Sequence, residues 1–175
     1  MNDSLENSEN NSLRKLNSNI PIAIVLILAT GIRIFYWIQF QSSDLGPILL
    51  VDAEGYHLKA LKLLTEGWLG DSAFYQAPLY PYFLAMIYKV FGQKIFIVQG
   101  IQVALSIGTV WLIYKIGESL FNRKVAILSA GFCAVYGPFI FYSVLILKVT
   151  LSLFFSCLFI LVLLRLCDSP KNSVV

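Results

Sequence analysis

Two acidic residues, Asp52 and Glu54, lie in a short polar stretch between a membrane-length apolar run and an aromatic segment bracketed by prolines. The apolar run covers residues 20–40, and the aromatic segment covers residues 75–81. A carboxylate at the edge of a bilayer is costly to keep near lipid unless it is solvated, paired or used. The pattern indicates the mouth of a membrane-embedded active site, where a carboxylate in water could deprotonate an incoming nucleophile.

The same carboxylates also fit a purely structural role. Asp52 at a helix start would cap the N-terminus, and Glu54 would favour the positive end of the helix dipole, each by about 1 kcal/mol or less. His57 lies five residues after Asp52, so these side chains could ligate a divalent ion, although neighbouring helical positions do not converge on one ion by themselves. A divalent metal is possible, and no cofactor is indicated with certainty.

The composition determines the class of protein. Apolar residues make up 58% of the 175, charged residues make up 13%, and the mean hydropathy is +0.75, which leaves too little polar surface for a water-facing globule. The run at 20–40 is too long for an ordinary signal peptide and has no cleavage site after it, so it predicts an uncleaved signal-anchor. Three further runs are long enough to span, at about 94–116, 125–147 and 149–166. These runs predict an all-α, polytopic integral membrane protein with about four transmembrane helices.

The loop between the first two spans is too long for a turn and predicts structure of its own. Residues 53–66 place Tyr56, Ala60, Leu63 and Leu64 on one side of a helix, as expected for an amphipathic helix in the membrane interface. Residues 78–91 are apolar but too short to span, and their aromatic residues favour the headgroup region. We expect two interfacial amphipathic helices in this outer loop.

The basic flanks of the spans predict the orientation. Most of these residues fall on the side of the N-terminus, which places both termini in the cytoplasm and makes the chain a multi-pass protein of the inner, cytoplasmic membrane. The net charge of +3 comes without a dense basic cluster, so nucleic acid is not expected as a partner. The predicted regions are a disordered tail at 1–19, a transmembrane module at 20–166 with its first outer loop at 41–93, and a short tail at 167–175.

Within the spans, Gly137-Pro138 should kink the third helix or end it early. Gly100, Ala104 and Gly108 form a smooth stripe that allows close approach by a neighbour. Arg33 and Lys148 lie near the ends of the first and fourth spans, where each could snorkel to the interface or hold a lipid phosphate. We found no charged or polar relay deep in the spans, which argues against a transporter.

Several short segments, taken in order, resemble the GT-C glycosyltransferases. More narrowly, the chain resembles glycosyltransferase family 39, the protein O-mannosyltransferases and the aminoarabinose transferases. The resemblance runs from about residue 20 to residue 166. The segments are Asp52-Ala-Glu-Gly-Tyr56, a helix ending at Gly67, Ala77-Pro78-Leu79-Tyr80-Pro81, Phe91-Gly92, Tyr136-Gly137-Pro138 and Tyr142-Ser143.

The resemblance implies a transfer reaction. In such enzymes an acidic residue of the first outer loop is the catalytic base, and the donor is a polyprenyl-phosphate sugar approached from the bilayer. Asp52 matches that base, with Glu54 as a second catalytic candidate, although Ala53 separates two acids that are adjacent in many relatives. The partners implied are the donor, the lipid bilayer and an unknown acceptor. The candidate substrate-binding residues are Arg33, Tyr56, Gln76, Pro78, Tyr80 and Lys148.

The chain has fewer predicted spans than members of that family usually have. We therefore expect the N-terminal part of such an enzyme, possible partners being the missing C-terminal half or a larger membrane protein, and a fragment of this kind could be inactive alone. The alternative is a small non-catalytic membrane assembly subunit whose glycine-striped second span packs on a partner.

Overall fold

The computed structural model describes residues 2–43, 49, 51–68 and 77–168, and within these residues every regular element is a helix. The predicted all-α class is therefore confirmed. The helices are α1 (Asn2–Gln41), α2 (Asp52–Thr65), α3 (Leu79–Phe91), α4 (Ile95–Leu120), α5 (Arg123–Val135), α6 (Gly137–Val144) and α7 (Val149–Asp168).

Among the residues that the structure describes, three helical segments are long and apolar enough to cross a membrane: Asn19–Gln41 of α1, Ile95–Leu120 of α4 and Val149–Cys167 of α7. The pair α5 and α6 is a fourth candidate if its two helices, which are bent by 53° to each other, are counted as one span. The prediction of about four spans is thus confirmed as three straight helices and one broken pair. The break lies where Gly137-Pro138 predicted it.

The first helix begins earlier than the sequence predicts. The backbone of α1 is helical from Asn2, whereas we expected a disordered tail over residues 1–19. Extending an existing helix adds one hydrogen bond for each residue that is fixed, whereas starting a new helix is costly. The segment from Asn19 onward is such a nucleus, and α1 continues through Pro21, where one carbonyl of the helix lacks its N–H partner.

Helix α4 lies at the centre of the bundle and contacts α1, α5, α6 and α7. Its glycines allow close approach, because a methyl group at Gly100 would come within 3.0 Å of the Trp37 indole and one at Gly108 within 3.0 Å of the Phe154 ring. The two glycines therefore face different neighbours, α1 and α7. Ala104 between them is exposed, so the predicted stripe is not a single packing surface.

The two loop helices pack against each other, and α3 also contacts α4. Their buried side chains join those of α4 and of the segment around the α6–α7 turn in one apolar group, which we call the loop cluster. Its buried members are Ala53, Tyr56, Ala60, Leu63, Tyr80, Leu84, Ala85, Ile87, Tyr88, Val98, Ile146 and Leu151. The apolar side predicted for the first loop helix is the side that the structure buries.

Candidate active site

Asp52 is the first residue of α2, and both it and Glu54 are exposed in the first turn of that helix. The predicted capping role of Asp52 is wrong: Val51 is at the N-cap position, and its side chain makes no capping hydrogen bond. A capping residue has a non-helical backbone, and at Asp52 the backbone is already helical. Val51 has a φ of 42°, which is strained for a β-branched residue.

One turn after Asp52, Tyr56 is only 2% exposed. Burial, and to a smaller extent the negative charge of Asp52, raises the pKa of the Tyr56 hydroxyl above its ordinary value. The two side chains therefore interact electrostatically, with the phenol protonated and the carboxylate at the surface. Tyr56 is therefore part of the packed side of α2 and does not itself supply a negative charge.

Tyr80 connects the packed side of α2 to the spanning helix α4. Its ring meets the Tyr56 ring edge-on, with the centroids 4.9 Å apart, and its hydroxyl donates a hydrogen bond to the Oε1 of Gln102 in α4. Burial raises the pKa of Tyr80 well above its ordinary value. The structure thus gives Tyr56 and Tyr80 packing contacts inside the loop, and a substrate-binding role for them stays a prediction.

Two buried glutamines of α4, which the sequence analysis missed, hold the end of α6. Gln99 Nε2 donates to the Val144 carbonyl at 3.0 Å, and Gln102 Nε2 donates to the Leu145 carbonyl at 2.6 Å. The last carbonyls of a helix have no partner within that helix, so these amides act as its cap. The available signal was the presence of two amides in an otherwise apolar span, where a polar side chain needs a partner.

Lys148 lies on the turn that the glutamines hold, and it is exposed. On either side of it, Ile146 and Leu151 are buried in the loop cluster together with Tyr56. The turn that bears this ammonium group therefore packs against the loop helices. Pro78 is exposed at the N-cap of α3, and Gln76 lies outside the described residues.

Arg33 is fully buried, with 0% exposure, although it was predicted to snorkel or to hold a lipid phosphate. Snorkelling is wrong, since the guanidinium lies among α1, α4 and α5. It donates to the Ser106 hydroxyl and to the carbonyls of Ala29, Cys133 and Ala134. These four bonds direct its donors to protein oxygens, so the structure offers no support for the phosphate hypothesis.

His57 pairs with Tyr88 of α3. Its Nδ1 lies 2.8 Å from the Tyr88 hydroxyl, and the two rings are nearly perpendicular, with centroids 5.5 Å apart. In the part of the chain that the structure describes, no group of three His, Cys, Asp or Glu side chains could hold a metal ion. His57 is therefore part of the α2–α3 packing, and the described residues give no support to the divalent site considered above.

Residues 75–174, more than half of the chain, match the family model described as dolichyl-phosphate-mannose-protein mannosyltransferase. The chain belongs to this family. The resemblance to GT-C membrane glycosyltransferases that the loop motifs indicated is thereby confirmed. No curated protein and no solved structure matches the chain.

The mannosyltransferase-family match covers α3 to α7, and so includes Pro78, Tyr80, the two glutamines and the Lys148 turn. Asp52 and Glu54 precede the matched region. The helix that carries them nevertheless packs directly on α3, where the match begins. The carboxylates are thus attached by packing to the part of the chain that matches the family.

Proposed function

We propose that this chain is the N-terminal part of a membrane glycosyltransferase that moves a sugar from a polyprenyl-phosphate donor to an acceptor on the outer side of the membrane. The family's name contains dolichyl-phosphate mannose, a sugar carried on a polyprenyl phosphate, and this supports the donor class. The helices long enough to span support approach of such a donor from within the bilayer.

In the proposed reaction Asp52 is the general base. An acceptor hydroxyl attacks the anomeric carbon, its proton passes to the Asp52 carboxylate, and the bond between that carbon and the phosphate oxygen breaks. The polyprenyl phosphate leaves with the electron pair, and the new glycosidic bond has inverted configuration. The exposed position of Asp52 at the start of α2 supports this role, since an acceptor can reach it from water.

The leaving phosphate needs a cation in the transition state. One observation carries this part of the proposal: α2, which begins at Asp52, and the turn that carries Lys148 contribute to the same loop cluster. A carboxylate and an ammonium group are thereby attached to one packed unit. Lys148 is our candidate for the phosphate-binding cation, in preference to Arg33, whose donors are bound to protein oxygens.

The direct test is sugar transfer by membranes that contain the full chain. Wild type, Asp52→Asn and Glu54→Gln would be incubated with radiolabelled dolichyl-phosphate mannose and a serine- and threonine-containing peptide. Removing a general base typically costs about 10²- to 10⁴-fold in rate, so we expect a loss of at least about 100-fold for Asp52→Asn. Glu54→Gln changes the second candidate carboxylate in the same way; because we assign the base to Asp52 alone, this variant should stay within a few-fold of wild type.

Equal activity of Asp52→Asn and wild type would overturn the role of Asp52. Absence of transfer by the wild-type chain, together with co-purification of a larger membrane protein, would favour the non-catalytic subunit instead. The glycines that suggested such a subunit are covered within this chain by Trp37 and Phe154.

The proposed orientation, with both termini in the cytoplasm, has its own test. Gly55 is exposed in α2, and Cys167 is an exposed free thiol at the end of α7. A membrane-impermeant maleimide added to intact cells should label Gly55→Cys and leave Cys167 unlabelled until the membrane is opened. Labelling of Cys167 alone in intact cells would reverse the orientation and place Asp52 on the wrong side.

A further inference from the structure

The broken span poses a hydrogen-bonding problem at its centre. In a continuous helix the carbonyls of Cys133 and Ala134 would accept the backbone N–H groups of residues 137 and 138. Residue 138 is proline, which has no N–H group, and α5 has already ended at Val135. Inside a membrane there is no water to satisfy the freed carbonyls, so another donor must reach them.

Arg33 of α1 is that donor. Its Nη1 donates to the Ala134 carbonyl at 2.9 Å, and its Nη2 lies 3.3 Å from the Cys133 carbonyl. These are the two carbonyls whose partners would be residues 137 and 138. The Nε is held at 2.8 Å by the Ser106 hydroxyl of α4, which fixes the plane of the guanidinium.

We propose that Arg33 is the cap of α5: it supplies the hydrogen-bond donor for Ala134 that Pro138 lacks and a donor for Cys133 that the end of α5 leaves unsupplied, and so maintains the span in its bent form. The planar guanidinium presents several donors in a fixed fork and can serve two successive carbonyls at once. Its positive charge also lies at the C-terminal, negative end of α5, where a cation is favourable. These two effects offset the cost of burying the side chain.

The cap has a consequence for the outer end of the span. The direction of α6 relative to α5 is set at the break, and α6 ends at Val144, just before the turn that carries Lys148. Arg33 caps the first half of the bent pair, while Gln99 and Gln102 cap the second half. The proposal holds whatever reaction the chain performs, because it concerns only the donors and acceptors of this span.

The test is a double-mutant cycle between Arg33 and Pro138, measured by thermal unfolding of the full chain in detergent. Arg33→Met should lower the unfolding midpoint by roughly 5–10 °C, since it leaves buried carbonyls without donors. Pro138→Ala restores a backbone N–H that can bond to Ala134. In the Pro138→Ala background, Arg33→Met should therefore cost less than about half as much.

Arg165→Met is the matched control, because Arg165 is exposed near the end of α7 and its removal should change the midpoint by no more than about 2 °C. Arg33→Lys, which keeps the charge but lacks the fork, should fall between wild type and Arg33→Met. If Arg33→Met fails to fold, recovery of folding in Arg33→Met/Pro138→Ala supports the proposal. An unchanged midpoint for Arg33→Met, or an equal loss in both backgrounds, overturns it.

Discussion

The hydroxyl of Tyr80 donates a hydrogen bond to the side-chain oxygen of Gln102, while the amide nitrogen of the same glutamine donates to the carbonyl of Leu145. One buried side chain thus joins a loop helix, a spanning helix and the end of the broken span. The amide oxygen of Gln102 accepts from α3 while its nitrogen donates to the α6–α7 turn, so this side chain holds α3 beside that turn. The loop cluster contributes buried apolar area, and the hydrogen bonds of this amide determine how α3 is oriented relative to the α6–α7 turn.

Replacing Gln102 with leucine should destabilise the chain by about 1–3 kcal/mol. The substitution leaves the buried Tyr80 hydroxyl without its acceptor and removes the side-chain donor to the Leu145 carbonyl, which still accepts from the Leu147 N–H at 2.8 Å. An unsatisfied buried polar group costs free energy on this scale. The free energy of unfolding can be measured by titration with SDS in mixed micelles. Gln39→Leu is the control, because Gln39 is exposed on α1.

Tyr80→Phe in combination with Gln102→Leu should cost less than the sum of the two single changes, since the second change removes a group that the first has already left unpaired. Equal stability of Gln102→Leu and Gln39→Leu would contradict the contact.

The chain should lose stability at alkaline pH through Tyr88. Burial raises the pKa of Tyr88 to about 12, whereas an unfolded tyrosine titrates at about 10. Between these values the unfolded state releases its proton while the folded state retains it, so the free energy of unfolding falls as the pH rises. Below about pH 10 this group is protonated in both states and its contribution is fully present. Tyr56 and Tyr80, whose pKa values are also raised, act in the same direction.

Tyrosinate absorbance after a rapid pH jump measures this titration before the chain unfolds. Tyr88→Phe should remove a component with a midpoint of about 12, and the chain unfolded in SDS serves as the reference near 10. An alkaline titration that is the same in Tyr88→Phe and wild type would show that Tyr88 is not the buried group.

Gly117→Ala should be costly and Gly131→Ala should not. A methyl group at Gly117 would lie 2.9 Å from the backbone Cα of Ala126, so α5 would have to move away from α4. Overpacking of this kind typically costs about 1–3 kcal/mol. At Gly131 a methyl group would meet nothing within 4 Å, and the change should be neutral or stabilise the helix by up to about 1 kcal/mol. If both variants unfold at the same SDS concentration, the close approach of α4 and α5 is contradicted.

Local patterns predicted the helices well. The apolar side of the first loop helix was expected from the spacing of Tyr56, Ala60, Leu63 and Leu64. The first three are buried, and Leu64 is partly buried against the same cluster. The break at Gly137-Pro138 agrees with the N–H group that proline lacks, although α1 continues through Pro21. These features depend on neighbours within a turn or two, and that is the range over which sequence periodicity carries information.

Features that depend on distant partners could not be predicted in this way. Arg33 meets the Ala134 carbonyl 101 residues later in the chain, and Gln102 meets Leu145 after 43 residues. Nothing in the spacing of either residue identifies its acceptor. The predicted start of α2 was wrong by one position. Asp52 was expected at the N-cap, whereas it is the first residue of the helix.

The angle between α5 and α6 also determines how far this pair of helices extends across the membrane. With α5 upright, its 13 residues rise about 20 Å, and the 8 residues of α6, inclined by 53°, add about 7 Å, against about 12 Å if they were straight. The pair is thus about 5 Å shorter in height than a straight helix of the same length. Because an exposed ammonium group follows this shortened pair, we expect the bilayer to thin locally at the turn that carries Lys148.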